Sequence, residues 1–164
     1  MKRSFPSCIS ISLISVGLAG LILGSLVYLT DRPPNQTYFI HRMLSTSLYR
    51  LFPKIFSIYG NFLPSFLHVF SFILITAGML PRGDKYYLAI SSAWISIGSL
   101  LELGQNFKQF TPKMVPNWFA ELPFLENAKN YFLLGTFDIR DLAASALGGI
   151  TAYLILIISD RRSA

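Results

Sequence analysis

The chain has 164 residues, of which 52% are hydrophobic and only 13% are charged, whereas an average soluble domain has about 25% charged residues. Its 14 Lys and Arg against 8 Asp and Glu give a net charge of +6. These values argue against a soluble enzyme and a disordered tail. The single cysteine, Cys8, cannot form an internal disulfide, which argues against a disulfide scaffold. The composition predicts one small multi-pass membrane domain covering 1–164.

The first two apolar segments predict membrane-spanning helices at about 7–30 and 61–80, because the bilayer core needs about 20 apolar residues. A signal peptide is the competing interpretation of the first segment, since Lys2 and Arg3 precede it. The length of the segment and the lack of a small-x-small cleavage site favour a retained helix. Pro64 lies in the first turn of the second helix, where a missing N–H costs nothing.

A tight turn at 81–84 leads into a third predicted spanning helix at about 86–103, and a fourth follows at about 142–159. Small residues recur every four positions in the first and fourth helices, as Gly20 and Gly24 and as Ala144, Gly148 and Ala152. Small residues at this spacing allow close approach of helices in a membrane. We therefore expect the four helices to pack tightly.

Two long connections have different patterns. The segment at about 35–60 contains Arg42, Arg50 and Lys54, which would be costly at the bilayer centre. Its apolar residues recur at near-helical spacing, so it predicts an interfacial helix, with a re-entrant segment as the alternative. The connection at about 104–140 is rich in proline and aromatic residues. It predicts a partly helical surface loop that lies on the lipid headgroups.

Together these elements predict an all-α membrane protein, a compact bundle of four transmembrane helices. The interfacial helix and the long loop belong to the same side of the membrane, because the other side has only a tight turn and two tails. Basic residues cluster tightly at helix ends near both termini and in the tight turn. The positive-inside rule therefore predicts cytoplasmic N and C termini.

Polar side chains gather at the predicted helix ends on the side of the long connections: His68, Glu102, Gln105, Asp138 and Asp141. Each has a structural interpretation, since acids cap helix N-termini and amides can mark a helix leaving the bilayer. Glu102 is harder to explain in this way, because a carboxylate at the end of an apolar helix is expensive unless it is paired or hydrated. Arg140 or His68 would be its structural partner. As a set, these residues predict a polar site beneath one leaflet.

The run 63–72, which contains His68, resembles the histidine-bearing helix of VanZ-like membrane proteins. Glu102-Leu103-Gly104-Gln105 is similar to the Glu-x-x-Gln of that family, and Asp141 with Gly148 resembles the opening of its last span. Ser145 stands where the family usually has Asn. The stretch 135–138 replaces the basic residue that usually precedes the aspartate. The resemblance implies a multi-pass protein of the bacterial cytoplasmic membrane, in a family without an established common reaction.

Three functions follow as hypotheses. The first is an envelope protein whose outward site meets an anionic, lipid-linked or peptidoglycan-related molecule. His68, Glu102 and Asp141 would be its acid–base groups. Glu102, Asp138 and Asp141 are also candidate ligands for Mg²⁺, which prefers oxygen donors. The binding residues would be the remaining polar groups of the same helix ends: Gln105, Asp138, Arg140 and Ser145.

The second hypothesis is a non-enzymatic accessory or scaffolding subunit that docks to a membrane-protein partner through one of the two long connections. The third, a proton-coupled transporter, is the weakest, because four unbroken spans make a poor pathway. No basic run is interleaved with aromatic residues, which argues against nucleic-acid binding. The sequence contains no P-loop, HExxH, CxxC, GxSxG or dinucleotide-binding motif, so it identifies no cofactor and no reaction.

Overall fold

A computed structural model describes residues 9–33, 48–49, 55–122, 125–126 and 128–163, and all regular structure within them is helical. The α-helices are α1 (Ile11–Asp31), α2 (Leu63–Met79), α3 (Asp84–Asn106), α4 (Thr111–Met114), α5 (Ala128–Leu134) and α6 (Ile139–Ser163). Short 3₁₀ helices cover Tyr59–Asn61 and Asn117–Glu121. The predicted all-α class is therefore confirmed for the described residues.

Within the described part of the chain, three helices are long and apolar enough to cross a membrane: α1, α3 and the Ile139–Arg161 part of α6. This is the pattern of a multi-pass membrane protein. The second predicted span, at about 61–80, occurs as α2, a helix of 17 residues, which is about 26 Å long against a hydrocarbon core of about 30 Å. It is apolar but shorter than the other three helices. Of the four predicted spans, three are therefore long enough to cross a membrane.

Helix α2 occupies the centre of the bundle. It packs against α1 on one side and against α3 and α6 on the other, and α3 also contacts α6. The buried core is built mainly from α2 and completed by the two later helices; its members are Val69, Ile73, Leu74, Ala77, Tyr87, Ile90, Ala152 and Leu156. The central position explains why this short helix has so many buried side chains.

The predicted small-residue contacts are confirmed. Gly20 and Gly24 of α1 face α2, together with Gly17, and a side chain at Gly17 would lie 2.8 Å from the backbone oxygen of Ser71. The three small residues predicted for α6 are all buried: Ala144, Gly148 and Ala152. Close backbone approach therefore joins α2 to its neighbours on both sides.

Of the four long helices, each one after α1 runs antiparallel to the long helix that precedes it in the chain. The backbone N–H of Ser10, before α1, donates to the oxygen of Gly78 at the end of α2 over 2.7 Å. The predicted turn between α2 and α3 is present, and Gly83 adopts φ +136°, a conformation that favours glycine. One end of the bundle therefore holds the end of α1, the start of α2, the end of α3 and the start of α6. We call it the polar end.

Both long connections join helices at the polar end. Residues 34–47 and 50–54 of the predicted interfacial segment lie outside the described residues, as do Cys8 and the basic residues before it. The described part of that segment, from Ile55 onward, forms a turn and the 3₁₀ helix before α2. The connection between α3 and α6 contains α4, a 3₁₀ helix and α5, so it is partly helical, as predicted.

Candidate functional site

The polar end begins with two adjacent charged residues where α1 stops. The carboxylate of Asp31 is buried and accepts hydrogen bonds from the hydroxyl of Thr30 (2.8 Å) and the backbone N–H groups of Ile55 (3.1 Å) and Phe56 (2.9 Å). These bonds fix the chain as it returns toward α2. Gly60 packs against the same carboxylate, since a side chain there would lie 2.9 Å from its oxygen. Asp31 is therefore a structural anchor.

Arg32 directly follows Asp31 and also lies at the polar end. Its guanidinium donates a 2.7 Å hydrogen bond to the backbone oxygen of Asn61 and lies over the ring of Tyr28, 4.7 Å from the ring centroid. Both Glu102 and Asp141 interact electrostatically with Arg32. A positive charge held by one hydrogen bond and a cation–π contact thus interacts through space with the carboxylates of α3 and α6.

His68 belongs to a column of rings that runs along α2. The ring centroids of His68 and Tyr28 are 6.0 Å apart, and those of His68 and Phe72 are 6.2 Å apart. Phe72 in turn stacks on Trp94 of α3 at 4.7 Å, and the indole N–H of Trp94 donates to the hydroxyl of Thr76 over 3.0 Å. His68 is therefore held by ring contacts beneath Tyr28 and next to the positive charge of Arg32.

The carboxylates come from the end of α3 and the start of α6. Asp141 lies in the first turn of α6 and accepts a 3.0 Å hydrogen bond from the hydroxyl of Ser65 in α2. Glu102 of α3 interacts electrostatically with Asp141 and Asp138. Its Oε2 atom is buried and has no hydrogen-bond partner among the described residues. A buried acceptor without a partner is costly, so this oxygen is the least satisfied atom at the polar end.

Gln105 and Tyr131 form a neutral hydrogen-bonded pair that interacts electrostatically with Glu102. The side chain of Gln105 is 6% exposed and is hydrogen-bonded to the hydroxyl of Tyr131 in α5. Burial raises the pKa of Tyr131, and the carboxylate of Glu102 raises it further. Tyr131 therefore stays protonated at physiological pH. Gly135 leaves room for the Gln105 amide, because a side chain there would overlap it.

The predicted site residues divide into two groups. His68, Glu102, Gln105 and Asp141 surround the polar end as described above. Asp138 caps α6, since its carboxylate accepts the backbone N–H of Arg140 over 2.8 Å, which confirms the predicted capping role. The Arg140 side chain is exposed, and Ser145 is buried against α3, where a side chain at Gly98 would lie 3.6 Å from its hydroxyl.

The role of Glu102, Asp138 and Asp141 as candidate Mg²⁺ ligands stays a prediction. Within residues 9–33, 48–49, 55–122, 125–126 and 128–163, no three His, Cys, Asp or Glu side chains converge closely enough to hold a metal. Asp138 is engaged in capping α6 and Asp141 is bonded to Ser65. Glu102, Asp138 and Asp141 therefore interact through space without forming a common ligand set.

Four residues of the site were not predicted: Tyr28, Arg32, Ser65 and Tyr131. Two signals in the sequence point to the first three of them, and none points to Tyr131. The end of α1 must lie on the same side as the start of α2, which places Tyr28 and Arg32 at the polar end. Ser65 precedes His68 by three residues and so shares its helical face. Arg32 provides, from α1, a positive charge beside the aspartate of α6.

The arrangement combines one cation, two carboxylates and several neutral donors and acceptors at the polar end of the bundle. Arg32 favours an anionic group, whereas Glu102 and Asp141 favour a donor such as an ammonium or hydroxyl group. Such a site suits a ligand with mixed charge or many hydroxyls. No family model, no curated protein and no solved structure matches the chain.

Proposed function

We propose that this chain is a VanZ-like integral membrane protein of the bacterial cytoplasmic membrane that binds a lipid-linked or peptidoglycan-related molecule at the polar end. The support from sequence is the histidine-bearing α2, the Glu-x-x-Gln at the end of α3 and the aspartate and glycine of α6. The support from structure is that three of those motif residues, His68, Glu102 and Asp141, belong to one electrostatically connected group around Arg32.

The observation that carries the proposal is the buried Oε2 of Glu102, which has no hydrogen-bond partner among the described residues. The hydroxyls of Ser71 and Ser91 are also buried without a partner in the described part of the chain, but a carboxylate costs more to leave unsatisfied, and the structural carboxylate of Asp31 has three donors. Functional sites instead keep polar groups unsatisfied at some cost in stability. An intramembrane carboxylate of this kind is by default a functional group.

The proposal includes a membrane arrangement. Helix α2 also crosses the membrane, which makes four spans in all. It is apolar, central and flanked by two spans that run antiparallel to it. The termini are cytoplasmic, so the polar end faces the outer leaflet. His68 then acts as the switchable acid or base, with Glu102 and Asp141 as its acidic counterparts. The ligand's amine or hydroxyl group meets Glu102, and its anionic group meets Arg32.

The test is native mass spectrometry of the protein purified in mild detergent from a bacterial membrane, followed by identification of the bound lipids and envelope precursors. We expect a retained molecule with a polar headgroup on the wild type. Its occupancy should fall severalfold in Glu102→Gln and in Arg32→Gln. Arg82→Gln is the matched control, because its side chain is exposed and lies in the turn at the opposite end of the bundle. Equal occupancy in all variants, or no retained molecule at all, would overturn the proposal.

The alternative is an accessory subunit of a membrane complex, in which the polar end only joins helices. Exposed apolar side chains in the connection between α3 and α6, such as Leu122 and Leu133, support a docking role. A pull-down in mild detergent distinguishes the two. A stoichiometric protein partner that is retained by Glu102→Gln would favour the accessory role.

A further inference from the structure

The segment 107–118, which we call the lysine–aromatic segment, begins one residue after the spanning helix α3 ends. It contains Lys108 and Lys113, and no Asp or Glu. The turn 107–111 and the one-turn helix α4 continue a helical course through i to i+3 hydrogen bonds, from the N–H of Phe110 to the oxygen of Phe107 (2.9 Å) and from Lys113 to Phe110 (3.0 Å).

This segment has an inner and an outer face. The hydroxyl of Thr111 points inward and donates to the oxygen of Gly104 over 2.9 Å. The apolar side chains on the other face are largely exposed: Phe107 by 57%, Phe110 by 65% and Met114 by 80%. Phe107 directly follows α3, Phe110 precedes α4 and Met114 ends α4, so the three exposed side chains lie close together in the chain. Trp118 continues this apolar surface and is 57% exposed.

Both lysines are exposed as well, so cations and large apolar side chains lie together at the end of a membrane span. Membrane-surface elements combine these features, with apolar groups inserted among acyl chains and basic groups beside anionic headgroups. Tryptophan is also enriched at this level of the bilayer. A protein partner would not require the surface to begin where the span ends. The position and the charge therefore both favour lipid.

We propose that the lysine–aromatic segment inserts into the headgroup layer of the leaflet at the polar end and enriches anionic lipid there. The occupant is a phosphate-bearing anionic lipid, recognised by Lys108 and Lys113, with its acyl chains against Phe107, Phe110 and Met114. This inference does not rest on the proposed function, since it involves none of the residues of the polar site.

Trp118 provides the test. The chain has two tryptophans, and Trp94→Phe leaves Trp118 as the only tryptophan, whose fluorescence can be excited selectively. The protein is reconstituted in phosphatidylcholine vesicles that contain a minor fraction of phosphatidylglycerol, with bromine on the acyl chains of one lipid or the other. We expect quenching by brominated phosphatidylglycerol to exceed the level given by its share of the bilayer. The excess should decline as salt screens the lysines.

The double variant Lys108→Gln/Lys113→Gln should reduce this enrichment, by about fivefold for each lysine at low ionic strength. Replacement of both lysines by Arg should preserve it. Lys85→Gln is the matched control, because this exposed lysine lies at the opposite end of α3. Quenching in proportion to bilayer composition, or quenching absent with both brominated lipids, would overturn the proposal. The second result would indicate that water or a protein covers the segment.

Discussion

Gly148→Ala tests the close packing of α6 against the central helix. A Cβ atom at Gly148 would lie 3.1 Å from the carbonyl carbon of Phe66 and 3.2 Å from its Cα, and would overlap its carbonyl oxygen. These are backbone atoms of α2 and cannot rotate away, so the two helices must separate. Overpacking of this kind costs about 3 kcal/mol at the upper end of its usual range. Alanine returns about 1 kcal/mol through its helix preference, which leaves a net loss of about 2 kcal/mol.

Gly24→Ala is the matched control in α1. A Cβ atom at Gly24 would lie 3.7 Å and 3.9 Å from side-chain atoms of Leu67, which is ordinary van der Waals contact. No helix has to move, so the variant should be unchanged or up to about 1 kcal/mol more stable than the wild type. Both glycines face α2. The pair therefore separates the effect of a close backbone from the general effect of replacing glycine.

The assay is reversible unfolding of the detergent-solubilised protein by titration with sodium dodecyl sulfate, followed by far-ultraviolet circular dichroism. We expect a lower midpoint for Gly148→Ala and an equal or higher midpoint for Gly24→Ala. Equal midpoints for the two variants would refute the reasoning, since α6 would then not approach the backbone of α2. A loss in Gly24→Ala alone would place α1, and not α6, at the tightest contact.

Three further substitutions use the same assay. Asp31→Ala removes the acceptor of three hydrogen bonds and should cost at least about 2 kcal/mol; an unchanged midpoint would show that the anchor is dispensable. Ser65→Ala removes the donor to Asp141 and should cost about 1.5–3 kcal/mol as a bond to a charged group, whereas Ser65→Thr should retain most of it. Trp94→Phe loses the neutral bond to Thr76 and part of the stacking on Phe72, so it should cost about 1–3 kcal/mol, and an unchanged midpoint would contradict its assigned role.

The helices could be predicted from the sequence because, inside a membrane, a long apolar run of this kind forms an α-helix. The predicted fourth helix at 142–159 occurs as Ile139–Ser163. It begins earlier because the carboxylate of Asp138 accepts a backbone N–H of the first turn. Helix α2 is shorter than the span predicted at 61–80, because the chain forms other structure at the start of that range. The 3₁₀ helix Tyr59–Asn61 and the residue after it use positions that the hydropathy pattern assigned to the span.

The site could be predicted only in part. The order of antiparallel helices places His68, Glu102 and Asp141 at one end without any knowledge of side-chain direction. The partners of these residues depend on how each helix is rotated, which hydropathy does not specify for a helix that is apolar on most sides. Tyr28 of the apolar α1 is an example, since only the packing of α1 on α2 brings it against His68.

The central claim is that the polar end is a working site and not a set of contacts that locks the helices together. Unfolding of Glu102→Gln, measured beside Asp31→Ala, tests it most directly. Oε2 of Glu102 has no hydrogen-bond partner among the described residues, and the carboxylate lies near two others. We therefore expect an unchanged or higher midpoint for Glu102→Gln and a clear loss for Asp31→Ala. Loss of one partner from a buried ion pair costs about 3–5 kcal/mol, and a loss of that size in Glu102→Gln would contradict the account.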